Sequence, residues 1–508
     1  MSTDADPSLL GAVEMVRRLA AGELSPVTLV EACIARIERF NPAVNAIAAT
    51  CYERARQEAR ASEARLRRGQ PRGPLEGLPI GVKDLQETEG LLTTYGSPRF
   101  RDFVPDQDAP LVARLRAAGA IVLAKTNVPE MGAGANTRNP VWGATGNPFD
   151  PRLNAGGSSG GSAAALALDM LPLCTGSDTG GSLRIPAALC GVVGLRPSPD
   201  LIAHPTRPLG WSAISVLGPM ARDVPDLCLM LRACVGFDPL DPLSAATDPA
   251  AFVAPEPLPL AGLRVGVTAD FGVCPIDPEI RAVFEDRVRR LGALGAECVP
   301  VELALEEADR CFDVVRAESF VAAFQEAYER DPASLGPNVR ANYEMGAAMT
   351  LADRAWAHKA QTRIFREFQR AMAGLDLMVA PVTPVTPFDW HQPHATHVGG
   401  VEMGNYYQWL ALTYVVTLAN NPALSLPCGR DARGMPFGLQ LIGRFRDDAR
   451  LLRMALGIEQ AFAADAMARR PVPDLAALPA ASPELASIVT AAPSPSTGRA
   501  RSPAASAV

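Results

Sequence analysis

The sequence predicts an α/β protein. One large domain over residues 1–470 is expected to hold a central mixed, mostly parallel β-sheet covered by helices on both faces, with a disordered segment over 471–508. Three observations point there. Short apolar runs alternate with segments of helical periodicity along much of the chain. A length of 508 residues with 48% hydrophobic content supplies a large core. From Pro471 the composition turns to Pro, Ala and Ser, which bury too little apolar surface to order themselves.

In chain order, residues 9–40 carry apolar side chains three and four apart and read as helices, broken near Ser25-Pro26 and stopped at Asn41-Pro42. A charged helix is expected over 52–68 and an apolar strand over 78–82. The alternation continues with a helix over 111–118, a strand over 121–124, a helix over 163–169 and a strand over 171–175. Further on come a strand over 264–268, a helix over 277–294, a strand over 299–303 and a mostly helical stretch over 307–372. Residues 404–428 carry no charge, yet Asn420-Asn421-Pro422 and other polar groups predict a buried helix plus strand, not a membrane span. No internal repeat is evident.

A net charge of −7 leaves no basic footprint for nucleic acid. The ten cysteines stand singly with no CxxC pair, and the first residues lack the basic and apolar blocks of a signal peptide. A cytoplasmic protein with reduced thiols is expected. It would meet a small-molecule substrate but neither nucleic acid nor membrane, and a homodimer is compatible with this reading.

Two clusters carry the chemistry: Gly156-Gly157-Ser158-Ser159-Gly160-Gly161-Ser162 and Ser177-Asp178-Thr179-Gly180-Gly181-Ser182. Glycines let the backbone approach a ligand closely, and the hydroxyls among them suit nucleophilic work. A phosphate-binding loop would need a GK[ST] ending that neither cluster has. Gly157-Ser158-Ser159-Gly160-Gly161 fits a G-x-S-x-G elbow with Ser159 as the nucleophile of an α/β-hydrolase-type esterase. That elbow requires a preceding strand, whereas 147–154 reads as a loop. A third reading joins both clusters to Lys83 in Gly81-Val82-Lys83-Asp84, with the lysine as base for a serine. A neutral lysine is needed there, so burial has to lower its pKa.

These segments resemble the amidase signature family. Gly77-Leu78-Pro79-Ile80-Gly81-Val82-Lys83-Asp84 and both Gly/Ser clusters appear in the family's order, as do Lys125-Thr126-Asn127, Asn147-Pro148 and Pro436-Phe437-Gly438-Leu439-Gln440. The resemblance spans about 9–462 and is densest over 73–222. It implies an amide-bond hydrolase with Ser182 as acyl-forming nucleophile, Ser158 as the bridging serine after a cis peptide bond from Gly157, and Lys83 as base. It also implies an oxyanion hole from the backbone N–H groups of Thr179, Gly180, Gly181 and Ser182, with Asp178 and Arg184 bracing the loop. No cofactor and no metal are implied. The substrate would be a small amide, aryl amide or carbamate. The family also contains the glutaminase subunit of tRNA-dependent amidotransferases, an alternative that 316–350 does not resemble. Met131, Gly132 and Trp142 are expected to shape the pocket. His391, His394 and His397 space like metal ligands, but Pro393 interrupts any helix through them, and a polar loop is the default.

Overall fold

The computed structural model describes residues 6–494. Among them, eleven strands form one sheet. In chain order these are β1 (Ile47–Thr50), β2 (Pro79–Lys83), β3 (Ile121–Thr126), β4 (Leu173–Asp178), β5 (Val193–Arg196), β6 (Val216–Ala221), β7 (Arg264–Val267), β8 (Glu297–Pro300), β9 (Leu377–Pro381), β10 (Ala423–Arg430) and β11 (Pro436–Ile442). Their spatial order is β1-β3-β2-β4-β6-β5-β10-β11-β9-β7-β8. Parallel ladders form two blocks, β3-β2-β4 and β9-β7-β8. The pairs between the blocks and the edge pair β1–β3 are antiparallel.

Strand alternation separates two cores. Leu377 and Val379 of β9 join a cluster with the helices α2 (Pro26–Val44), α5 (Gly160–Ala167) and α7 (Val224–Cys234). Met378 and Ala380 point the other way, into a cluster with α9 (Ala308–Arg330), α11 (Leu351–Ala371) and α12 (Ala411–Ala419). Period-two side chains on one strand thus feed both faces, which is why helices cover both. The mixed, helix-covered sheet expected from the alternation is observed, with four parallel and six antiparallel pairings, and the uncharged run 404–428 becomes α12 followed by β10.

Local chemistry sets the element ends. Ser25 caps α2 by accepting from Val27 N at 3.1 Å, and Pro26 occupies the first turn where no N–H is needed. The helix does not stop at Asn41-Pro42. It runs to Val44 and ends on Asn45 in a left-handed conformation, because a proline near the last turn forfeits one bond without preventing the next residues from coiling. The expected strand over 299–303 lies earlier, at Glu297–Pro300, in parallel register with β7. β1 was not anticipated; four residues, Ile-Ala-Ala-Thr, are too few for periodicity to show.

Residues 471–494 correct the expectation of disorder over that stretch. Ser482 N donates to Pro42 O at 2.9 Å, Thr490 N to Pro140 O at 2.9 Å, and Ser494 N to Asp102 Oδ1 at 2.6 Å. Leu485 is buried with Ala144 and Trp390, and Ile488 packs against them. The segment does not fold on its own composition; it borrows acceptors and apolar surface from the body. The remainder of the expected tail lies outside the described residues. Truncating Leu485 to Ala should lower stability by about 2–4 kcal/mol, read as a drop in thermal midpoint, whereas a solvated tail would show no shift.

Candidate active site

β2 and β4 are parallel neighbours, so the loops that leave their carboxyl ends lie side by side, the place where α/β sheets form ligand crevices. Lys83 ends β2. Asp178 ends β4 and begins the loop that turns into α6 (Arg184–Cys190). Gly181 has φ +126°, a backbone region that excludes side chains, and this lets the chain double back so that Ser182 precedes the helix.

A buried charge cluster holds the loop. Asp178 Oδ1 accepts from Gly181 N at 2.9 Å and Arg184 Nη2 at 2.9 Å; Oδ2 accepts from Leu183 N at 3.2 Å and Arg184 Nε at 3.0 Å. Arg196 Nη1 donates to Asp178 O at 2.8 Å. Burial alone would raise the Asp178 carboxyl, but Arg184 and then Arg196 hold it well below the usual carboxylate range. Burial lowers Arg196 to about 10, with Asp178 opposing. From the other side, Thr413 Oγ1 donates to Gly180 O at 2.6 Å, and Gln440 Oε1 accepts from Arg184 Nη1 at 2.7 Å.

Lys83 is fully buried. Its Nζ lies 2.7 Å from Ser158 Oγ, 3.0 Å from Ser177 Oγ and 3.5 Å from Ser177 O. Burial lowers its pKa to about 7, and the charge of Asp178 opposes that shift only in part. A neutral amine has two N–H donors and one lone pair. Ser177 offers two oxygens for the donors, which leaves the lone pair for the Ser158 hydroxyl.

The Gly157–Ser158 peptide is cis. Ser158, Ser182, Thr179 and Gly180 line one cavity of about 430 Å³, together with Met131 and Gly132. The two glycine-rich loops are tied by Ser159 N donating to Ser182 O at 3.3 Å. The Ser158 and Ser182 hydroxyls share the cavity without a hydrogen bond between them among the described residues, so the expected bridge from Lys83 through Ser158 to Ser182 shows its first link and not its second.

Several expected roles move. The Gly181 N–H is spent on Asp178, which removes it from the expected oxyanion donors; the amides of Thr179, Gly180 and Ser182 have no protein acceptor among the described residues. Trp142 stands away from the cavity lining, because its indole N–H donates to Thr94 Oγ1 at 2.8 Å. Ser159 is fully buried at the start of α5, its Oγ without a hydrogen-bond partner and outside the cavity lining, which does not suit an elbow nucleophile. The stretch before it is no plain loop, since Asp150–Asn154 pairs with Gly146–Asn147 in a hairpin. His391 stacks on Trp390 at 3.7 Å and bonds Asp389 at 2.7 Å, away from the cavity. Among the described residues no cluster of three His, Cys, Asp or Glu suits a metal, and no helix is long and apolar enough to cross a membrane. Ser177, Arg196 and Thr413 escaped the sequence reading; the first sat inside a quoted cluster, but nothing in its spacing marked it as the second partner of Lys83.

A family profile described as Amidase matches residues 28–452. The chain belongs to the amidase signature family. Enzymes of this family hydrolyse carbon–nitrogen bonds, and a Ser–Ser–Lys triad is general to it. The chain is 34% identical to a glutamyl-tRNA(Gln) amidotransferase subunit of Chloroflexus aurantiacus, over 86% of its length and 93% of the relative's. It is 36% identical to the corresponding subunit of Anaeromyxobacter dehalogenans, over 89% and 96%. Among solved structures, a bacterial aryl acylamidase of the family superposes with TM-score 0.82 at 28% identity, covering 89% of this chain and 96% of that one. A 6-aminohexanoate cyclic dimer hydrolase gives 0.78 at 28% identity, covering 90% and 98%.

Replacing Asp178 by Ala leaves Arg184 and Arg196 uncompensated in the interior. Unfolding free energy should drop by about 3–5 kcal/mol, read by denaturant titration. A near-neutral result would show that the cluster does not hold the loop.

Proposed function

We propose that the protein hydrolyses a small amide, aryl amide or carbamate by two-step acyl transfer through an acyl-enzyme on Ser182. The observation that carries this reading is the buried Lys83 amine, 2.7 Å from Ser158 Oγ and lowered by burial to a pKa of about 7. A serine hydroxyl becomes a competent nucleophile only when a base takes its proton. Here Ser158 relays the Ser182 proton to neutral Lys83 as the substrate carbonyl is attacked. The N–H groups of Thr179, Gly180 and Ser182 stabilise the oxyanion, each such donor being worth a factor of about 100–1000. The relay then runs backwards, and Ser158 hands the proton to the departing amine. Water repeats the sequence on the acyl-enzyme, regenerating Ser182 and releasing the acid. Asp178 and Arg184 touch no substrate; they fix the donors. The scheme assigns no role to a metal or to nucleic acid.

The names of the curated relatives favour a second reading, the glutaminase subunit of an amidotransferase complex. The first is supported by the apolar lining that Phe312, Phe320, Phe324 and Leu410 give the cavity, which suits the acyl or aryl part of a larger amide. Turnover of para-nitroanilides by the purified chain alone, without glutamine, separates the two; activity confined to glutamine would select the second.

Two outcomes test the assignments. Ser182→Ala should cut kcat by about 10,000-fold or more, as should Lys83→Met, which fills similar space without a basic amine. Residual turnover near wild type in either would overturn that residue's role. Because the base works only when unprotonated, kcat/KM should climb as pH rises through about 7 and then level off. A profile flat from pH 5 to 9 would remove Lys83 as the titrating base.

A further inference from the structure

Helix α9 turns one face toward the cavity: Phe312, Arg316, Ser319, Phe320, Ala323 and Phe324 all line it, at the spacing of a single helical stripe. Phe312 packs under the glycine loop, where a Cβ added to Gly180 would meet its ring at 2.9 Å. Arg316 follows one turn later, about 6 Å along the axis. Its guanidinium is therefore within a small molecule's length of the Ser182 loop.

Arg316 is buried, 7% exposed, and every group that holds it is neutral. Nη1 donates to Asn342 Oδ1 and Nη2 to the Tyr406 hydroxyl at 2.5 Å. The rings of Tyr407, Phe320 and Tyr406 lie 4.6, 4.7 and 5.2 Å from its central carbon. Among the described residues no carboxylate comes within the 4.0 Å of an ion pair. The nearby acid on the same helix, Asp313, accepts the Tyr407 hydroxyl at 2.5 Å instead. Of the other charges around the cavity, Arg207 faces Asp241 at 3.6 Å and Asp108 pairs with Arg116 at 2.9 Å, while Glu87 accepts from the neutral Tyr95 hydroxyl at 2.7 Å.

Donors remain unspent. Arg316 Nε has no protein acceptor among the described residues. The Tyr406 hydroxyl oxygen receives two N–H groups, from Arg316 Nη2 and from Asn342 Nδ2 at 2.7 Å, and its own proton likewise has no protein acceptor among them. Both residues line the cavity. A buried cation held by aromatic faces and neutral oxygens has no carboxylate in contact, Asp313 acting on it only through space, and the cavity is the side from which a contacting anion can arrive.

We propose that Arg316 and Tyr406 form an anion subsite, and that the substrate is a small amide bearing a carboxylate about one helical turn from its scissile carbonyl. One carboxylate oxygen takes the Arg316 Nε–H and the other the Tyr406 O–H, a charge-assisted pair. The inference deepens the amide-hydrolase reading and rests on it for the position of the scissile bond. Arg316 and Tyr406 are specificity residues in it, with no part in proton transfer.

Glutaryl and pentanoyl para-nitroanilides differ only in a terminal carboxylate against a methyl group. Wild type should prefer the glutaryl compound by about 30-fold or more in kcat/KM. Arg316→Gln should bring that ratio to within a few-fold of one. Tyr406→Phe, which keeps the ring and the fold, should lower it by about 5–10-fold. Calorimetry on Ser182→Ala reads binding without turnover: the glutaryl anilide should bind more tightly than the pentanoyl one, and adding Arg316→Gln should erase the difference. Hydrolysis of both anilides with no carboxylate preference, or a preference that survives Arg316→Gln, overturns the subsite and leaves the hydrolase reading intact. Arg316-dependent binding without hydrolysis of either compound by wild type sinks the hydrolase reading and leaves the subsite standing. Neither binding nor turnover overturns both.

Discussion

A lysine amine buried at the end of an interior strand is the constraint on which the rest of the structure turns. The Lys83 side chain has no carboxylate in contact with it, and the nearest negative charge, on Asp178, is already claimed by two guanidinium groups. Burial without a partner favours the uncharged amine, the form a base requires. Had Asp178 been free to pair with Lys83, the same burial would have produced a stable ion pair and no base. Arg184 and Arg196 therefore act on the chemistry at one remove, by occupying the acid that would otherwise neutralise it. Lys125 shows the contrast: equally buried on the adjacent strand, it lies 4.0 Å from Asp84 and is lowered less, to about 8.

The same acid also sets the shape of the loop. By accepting the Gly181 and Leu183 amides, Asp178 bends the chain between β4 and α6 and aims the remaining N–H groups away from itself. One carboxylate thus links the electrostatics of Lys83 to the geometry of the loop amides. The cost is an interior with more positive than negative charge, tolerable because each guanidinium also donates to backbone or amide oxygens.

Much of this was legible in the residues. The alternation of apolar runs and helical periods led to the helix-covered sheet, and the glycine spacing led to the two loops. The resemblance to the family pointed to Lys83, Ser158 and Ser182, and the two serines line one cavity while Lys83 touches Ser158. What escaped had physical reasons. β1 is too short to carry a period, Pro42 sits too close to a helix end to stop it, and the 471–494 segment is ordered by partners elsewhere in the chain. Trp142 had the right chemical character for a pocket, but its N–H found Thr94. The pairing of Arg316 with Tyr406 joins positions 90 residues apart, and no local pattern announces such a meeting.

The strap formed by 471–494 touches Pro42, Pro140 and Asp102, three points in the first third of the chain. During synthesis those points emerge long before the residues that bind them. Until the last two dozen or so described residues are made, the turn after α2 and the loops around Asp102 and Pro140 go without these ties. A ribosome that stalled before residue 471 would leave a polypeptide that already holds Lys83, Ser158 and Ser182 but has one flank unfastened.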